Sequence, residues 1–401
     1  MTFIYYNIYS LGMFEIETEN YEHLEMALKD MLAAIEPIKE IELNNVVYNI
    51  KMMLGGDLKS IALLFGIVSA NGNFSCIWCH CDVGGLVDLN GEWKIERSQI
   101  QSNEKCGTNE CLGYKRKPLI TFIDFDCIVI DTLHLLLRIS DQLFDLFQEK
   151  LIRYDNEDSI DMSERQRFKM FEAFLKDECK LTRPILYSVK NTEMHCRLRS
   201  LSGSERLKVF EKIFENGQKF GDIFANVGMD FKYENYVWKR FHRMFLKIKS
   251  FDDEEVSEAS IGQLKLELKN WLHVYDQLSQ RDHITPYIHA FVFHMPQFIL
   301  NFRKINLYNV QGLEKLNDLT TRYYHSSTNK QRTDNKYLLQ LIQKENRMEF
   351  YNMGGVLEDL EIKVYSCSCK GDCITNNCGC SGRNTKCNAQ CHTRSTNCTN
   401  C

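Results

Sequence analysis

The sequence predicts a mainly helical α/β body followed by a small module organised by metal rather than by a hydrophobic core. Five prolines and 21 glycines in 401 residues are few, which favours long helices over a loop-rich sandwich. Strand-like segments are confined to the first part of the chain, and from Asp131 onward apolar residues recur at helical spacing. Nine of the 17 cysteines crowd between Cys367 and Cys401, and the other eight are spread over the residues before them.

Composition excludes several classes. Hydrophobic residues at 44% and charged residues at 26% do not describe a disordered or collagen-like chain. The formal charge of −5 gives no molecule-wide basic field, so a nucleic-acid partner must be held by local patches or metal-organised loops. No apolar run reaches the roughly 18 residues of a membrane span. The best stretch, Leu119 to Ser140, is broken by Asp124, Asp126 and Asp131. Met1 is followed by Thr-Phe-Ile-Tyr-Tyr without a basic segment, so no secretory signal is expected. Reduced, metal-binding thiols in the nucleus or cytosol are the expectation, rather than a disulfide framework.

Along the chain, Tyr5 to Glu19 and Asn45 to Leu54 are expected as strands, with β-branched and aromatic residues in partial alternation. Glu22 to Ile38 is expected as a helix through Leu24, Leu28, Met31 and Leu32. Gly55-Gly56 then turns the second strand into a helix beginning near Asp57. Gly84 to Lys117 is polar and loop-rich, and its Cys106 and Cys111 are expected as ordinary thiols. After Asp131, Leu136, Leu143 and Phe147 share one helical face with Ile139 beside them. Capping boxes at Ser163 to Gln166 and Ser202 to Glu205 open two more helices. Phe241 to Ile248, Leu264 to Leu278 and Ile288 to Ile299 continue the helical pattern. A last helix is expected over Leu313 to Tyr351, with a break near Thr328.

The tail carries Cys367, Cys369, Cys373, Cys378, Cys380, Cys387, Cys391, Cys398 and Cys401 among Asn, Thr, Ser, Gly and Lys. Such a segment has no core, and thiolate–metal bonds are the available source of folding free energy. Three tetrahedral zinc ions need twelve bonds, which nine cysteines supply if three of them bridge. Lys370, Arg383, Lys386 and Arg394 offset the negative charge of such a cluster. The run Cys367-Ser-Cys369-Lys370-Gly371-Asp372-Cys373 resembles the CXC zinc domain of the tesmin and male-specific-lethal families. The resemblance implies three zincs and a DNA contact. A basic side chain would enter the minor groove, with Lys370, Arg383 and Lys386 as the DNA-binding candidates.

In the body, Cys76-x2-Cys79 is half of a zinc site, and its alternative is two core thiols beside Ile77 and Trp78. A second half-site is offered by His289 and His294, each of which alone reads as a packed residue. His80, Cys81 and His283 are competing ligands.

Cys76-x2-Cys79 and His289-x4-His294, separated by a long helical stretch, resemble the catalytic core of the V(D)J recombination-activating recombinase. Its RAG-like and Transib-type transposase relatives share the pattern. In that family the two pairs share one zinc, the second catalytic aspartate precedes the cysteines, and the catalytic glutamate follows the histidines. Here Asp57 stands 19 residues before Cys76 and Glu314 stands 20 after His294, with Asp131-Thr-Leu-His134 in between. The resemblance covers about residues 5 to 350. It implies a partial RNase H-like region over 1–75 and a mainly helical zinc-binding insertion over 76–300. A C-terminal helix of the RNase H-like region, carrying Glu314, follows over 301–355. A linker over 356–366 leads to the CXC module over 367–401. The family's DDE chemistry uses two divalent ions about 3.5 to 4 Å apart, so hard Mg²⁺ or Mn²⁺ selects carboxylates. From the residues alone, Asp57 reads as a helix N-cap and Glu314 as a first-turn charge.

The pattern departs from the family at the first catalytic aspartate. No Asp occurs before Asp30, and Glu15, Glu17 and Glu19 read as an exposed strand face rather than as replacements. The expected function is therefore a transposase-derived, zinc-stabilised DNA-binding protein of the nucleus, catalytically incomplete. About four zincs are expected in all, with Mg²⁺ or Mn²⁺ only if catalytic. DNA is the expected partner and homodimerisation is compatible; no membrane or small-molecule substrate is expected. An active transposase within a longer or multichain assembly is one alternative. A non-catalytic chromatin scaffold targeted by its CXC tail is the other.

Overall fold

The computed structural model describes residues 18–158, 166–190, 193–215, 217–225, 228–251, 256–279, 284–328 and 337–344. The chain divides into two compact units, Met1–Leu316 and Asn317–Cys401. The expected strand at Tyr5 to Glu19 lies almost wholly outside the described residues. The cysteine-rich tail, with Lys370, Arg383 and Lys386, lies entirely outside them, as do Glu15, Glu17, Ser163 and His283.

The first unit is mixed α/β and mostly helical. Helix α1 (Tyr21–Ile35) starts where Asn20 caps it, its side-chain oxygen accepting the His23 N–H at 2.8 Å. A hairpin follows, β1 (Glu40–Leu43) against β2 (Val46–Asn49), antiparallel and exposed throughout. Its two turn residues, Asn44 and Asn45, have φ of 53° and 61°, the left-handed conformation that tight hairpins require and Asn tolerates. The strand expected from Asn45 to Leu54 is therefore shorter, and it pairs with its sequence neighbour.

Beyond β2 the chain runs to Leu54, which pairs in parallel with Ile128. The Leu54 N–H donates to the Cys127 carbonyl at 3.1 Å, and the Val129 N–H donates to the Leu54 carbonyl at 2.8 Å. Parallel pairing gives both segments the same direction, so Asp57 and Asp131 follow at the same end of the pair. Among the described residues the β pairing consists of two two-stranded hairpins, this bridge and an antiparallel bridge between Ile67 and Tyr114; a wider sheet is not among them.

Helix α2 (Leu58–Leu64) leads into the region expected as a polar excursion. It holds a short helix, α3 (Gln99–Lys105), opened by a capping box between Ser98 and Gln101. Within that region Tyr114 is fully buried, and fully buried Trp78 and Phe125 flank it in sequence. Helix α4 (Thr132–Asp158) then buries Leu136, Ile139, Leu143 and Phe147, the face its spacing required. Helix α5 (Gln166–Asp177) precedes a second hairpin, β3 (Ile185–Lys190) with β4 (Glu193–Leu198), which the helical reading of this region had missed. Helix α6 (Gly203–Glu215) opens on the expected capping box. Ser202 Oγ accepts the Glu205 N–H at 3.3 Å, and Glu205 accepts the Ser202 N–H at 2.9 Å.

Helices α7 (Gly217–Ala225) and α8 (Lys232–Ser250), the latter packed through Phe241 on Trp271 of α9 (Glu258–Ser279), close an aromatic core around Phe147. Its ring meets Phe171, Phe224, Phe231 and Trp238 with centroids 5.2 to 5.4 Å apart. The chain then forms α10 (Pro286–His289), a π-helical turn (Ala290–His294), α11 (Met295–Phe302) and α12 (Gln311–Ser327). The division between the units falls within α12. In the second unit residues 337–344 are helical, as the pattern after Thr328 suggested. Tyr337 and Leu341 are buried there, and Tyr337 meets Tyr324 at a ring separation of 5.5 Å. No described helix is long and apolar enough to cross a membrane.

Candidate metal centre

Cys76 and Cys79 sit on a tight loop held by its backbone carbonyls. Arg97 donates Nε to the carbonyls of Cys76 at 2.9 Å and Cys79 at 3.0 Å, and Nη2 to that of Phe74 at 2.7 Å. Its guanidinium lies 4.6 Å from the Tyr114 ring centre. Gly113 touches the same loop: a Cβ there would lie 2.5 Å from the Phe74 oxygen, so only glycine fits. Its φ of +87° adds to that restriction. Between the thiols, Trp78 donates its indole N–H to the Ile128 carbonyl at 2.9 Å, tying the loop to the parallel bridge.

The histidines depend on the π-helical turn. Residues five apart on a regular α-helix point about 140° from each other at 3.6 residues per turn. An i to i+5 turn stacks them on one face instead. The turn from Ala290 to His294 does this for His289 and His294, whose ring centres lie 5.1 Å apart. Pro296, which has no amide hydrogen for an unbroken α-helix, follows directly.

The two half-sites meet. One donor atom from each of Cys76, Cys79, His289 and His294 lies within 4.8 Å of all the others, and all four residues are buried. The Cys76 Sγ to His294 Nε2 distance is 3.4 Å, and Cys79 Sγ to His289 Nε2 is 3.3 Å. Zinc with bonds of about 2.3 Å to sulfur and 2.0–2.1 Å to nitrogen spaces a tetrahedral S···N edge by roughly 3.5 Å. Two soft sulfur donors and two imidazoles, all buried, make a donor set that could hold one zinc ion in the four-coordinate manner of structural sites. Burial lowers the His294 pKa, keeping the ring neutral and able to ligate. A hydrogen bond with Cys76 pulls the Cys79 thiol down, but its bond to Cys81 and burial outweigh that and push it to about 12. Without a cation, Cys79 is a protonated thiol; a bound ion supplies the charge that makes it a ligand. His289 presents Nε2 to Cys79 Sγ, while its Nδ1 is buried with no hydrogen-bond partner among the described residues.

Of the competing residues, His80 is engaged elsewhere, Cys81 borders the site through Cys79, and His283 lies outside the described residues. His80 meets Tyr114 Oη at 3.2 Å and Glu96 at 3.2 Å. Cys81 is buried beside Cys79, and its Sγ lies 3.2 Å from the Asp82 carbonyl. Cys106 and Cys111 belong to no ligand group among the described residues. Lys115-Arg116-Lys117 is tied to α1: Arg116 pairs with Glu22 and lies over the Tyr21 ring, while Tyr21 Oη donates to the Lys117 carbonyl at 2.8 Å.

Beside the metal centre lies an acidic cluster. Asp57 caps α2 and accepts the Tyr287 hydroxyl at 2.8 Å and Arg138 Nη2 at 3.1 Å. Burial alone would raise its pKa; Tyr287 and Arg138 prevail and hold it below the usual carboxylate value. Asp131 is fully buried and accepts the N–H groups of His134 and Val310, each at 2.8 Å. His134 Nδ1 sits 2.6 Å from Asp131, and its Nε2 sits 3.8 Å from Glu314, which is half-exposed in the first turn of α12. Asp57 and Glu314 both act on the His134 charge, so residues 257 apart in sequence share one electrostatic neighbourhood. Glu19, instead of lining a strand, binds Lys59 at 2.5 Å and Ser60 at 2.8 Å on α2.

Sequence reasoning did not single out Arg97, Arg138 or Tyr287. Tyr287 stands two residues before His289, and its hydroxyl also accepts the Leu58 N–H at 3.0 Å, linking the histidine helix to Asp57. Only its place beside Pro286 at a helix start hinted at a fixed position. No protein-family model matches the chain, and no curated protein matches it.

Proposed function

We propose that the chain is a transposase-derived, zinc-stabilised DNA-binding protein akin to the recombination-activating recombinase core, and that it no longer cuts DNA. One observation carries the reading. Cys76 and Cys79 meet His289 and His294, and the acids at the family's spacing on either side, Asp57 and Glu314, share the surroundings of His134. On this reading residues 1–75 are the partial RNase H-like region, 76–300 the mainly helical zinc-binding insertion, and 301–355 the C-terminal helix of the RNase H-like region carrying Glu314. The tail is a CXC module that holds three zincs and contacts DNA through Lys370, Arg383 and Lys386 in the nucleus. About four zincs per chain follow. Homodimerisation is compatible with this reading.

The loss of catalysis follows from what the acids already bind. Two-metal chemistry needs carboxylates free to face two divalent ions. Asp57 instead takes a guanidinium and a phenol, and Asp131 takes three backbone N–H groups and an imidazole. Mg²⁺ or Mn²⁺ would have to displace Arg138 to reach Asp57. A supercoiled-plasmid assay with Mn²⁺ tests this, with Glu314→Gln as control. Retained DNA binding without nicking by either protein is expected. Nicking by the wild type that disappears in the variant would show an intact site.

A further inference from the structure

Helix α8 concentrates positive charge in a chain whose total is negative. It carries Lys232, Lys239, Arg240, Arg243, Lys247 and Lys249 against one acid, Glu234. Glu234 is buried and bound to Lys150 at 2.6 Å, so it does not offset the outer face, where Lys247 lies 4.0 Å from Glu267 of α9. That face borders an open groove of about 410 Å³, which Val274 of α9 also lines. Lys232, Tyr233, Tyr236, Lys239, Arg240 and Arg243 line it, and no acidic side chain does. None of these four cations has an ion-pair partner among the described residues. The Arg240 guanidinium lies 5.4 Å from the centre of the Tyr236 ring, and the two tyrosines are 58% and 38% exposed. Lys232, Tyr236, Arg240 and Arg243 fall on one helical stripe about 16 Å long at 1.5 Å per residue.

We infer that this groove binds single-stranded DNA, with the cations on phosphates and with bases stacked on Tyr233 and Tyr236. Exposed aromatic rings between cations are how sequence-tolerant single-strand sites are built, because every base has a stacking face. An acidic peptide would use the same charges but would give the rings nothing to stack on. A duplex keeps its bases paired and inaccessible. The inference rests on the DNA-binding reading and adds a contact on the body that is separate from the tail.

Fluorescence anisotropy on the zinc-bound full chain tests it. The probes are an oligo-dT of about 12 nucleotides, within the range of one single-strand site, and a duplex of equal length. The variant Tyr233→Ala/Tyr236→Ala is expected to lose about tenfold or more in single-strand affinity with duplex affinity unchanged, and Tyr233→Phe/Tyr236→Phe to keep it. Lys239→Gln/Arg243→Gln is expected to reduce the single-strand salt slope by about 1.4, at roughly 0.7 per phosphate contact. These side chains are at the surface, so an unchanged unfolding temperature separates lost contacts from lost fold. Binding that is indifferent to all these substitutions would overturn the groove and leave the DNA-binding reading standing. Failure of the wild type to bind either probe would refute the reading itself.

Discussion

His134 and Arg97 show how much of the body is organised by single side chains. The hydrogen bond to Asp131 raises the His134 pKa against burial, and the charges of Asp131, Asp57 and Glu314 add to it. A folded value above the unfolded one of about 6.5 means the contact contributes fully below that pH and is lost as pH rises through the folded value. NMR titration should therefore find the His134 midpoint above that of an exposed histidine and lower in Asp131→Asn. A wild-type midpoint at or below the ordinary value would contradict the pairing. Arg97 acts on the metal centre through carbonyls rather than through ligand atoms. Arg97→Ala should weaken zinc binding about 10- to 100-fold, the usual cost of removing an outer partner, read by competition with a chelator. Undiminished affinity would mean that the loop holds its thiols without the guanidinium.

At the scale of elements, local signals were read well where one residue type has one job. Ser202 and Glu205 form the capping box their spacing announced, and Arg199 holds Glu205 at 2.5 Å and lowers its pKa to about 2. Glu205→Gln should cost α6 about 1 kcal/mol near neutral pH. Because the folded pKa is the lower one, the difference between wild type and variant should vanish as pH falls from about 4.3 through the folded value. Thermal unfolding at several pH values checks this; a difference persisting at low pH would speak against it. The Asn44-Asn45 turn is equally present in the sequence, but the β-branched and aromatic run Val46 to Tyr48 directly after it reads as a strand continuous with Asn45. The β3–β4 hairpin had no such signal, since its Leu186, Tyr187 and Val189 read as well on a helix. The π-helical turn was hidden for a different reason. A five-residue histidine spacing is awkward on an ideal helix, and only the need for both rings to face one point resolves it.

At the scale of the whole molecule, the metal centre was legible because ligand chemistry restricts residue types, whereas partners of the acids were not. Nothing in the sequence distinguishes Arg138 from any other basic residue on a long helix. Its role exists only once the Leu54–Ile128 bridge brings Asp57 beside α4. The Cys76/Cys79 loop and the His289/His294 turn are more than 200 residues apart, and one ion joining them closes that entire loop. The four ligands meet only when the intervening chain is folded back, so zinc binding and folding of the body should be coupled. Elemental analysis of the purified full chain tests that shared ion most directly. About four zinc ions per chain are expected in the wild type, and about three in Cys79→Ser/His294→Ala, with loss of cooperative unfolding of the body. An unchanged zinc content in that double variant would contradict a common ion at these four side chains.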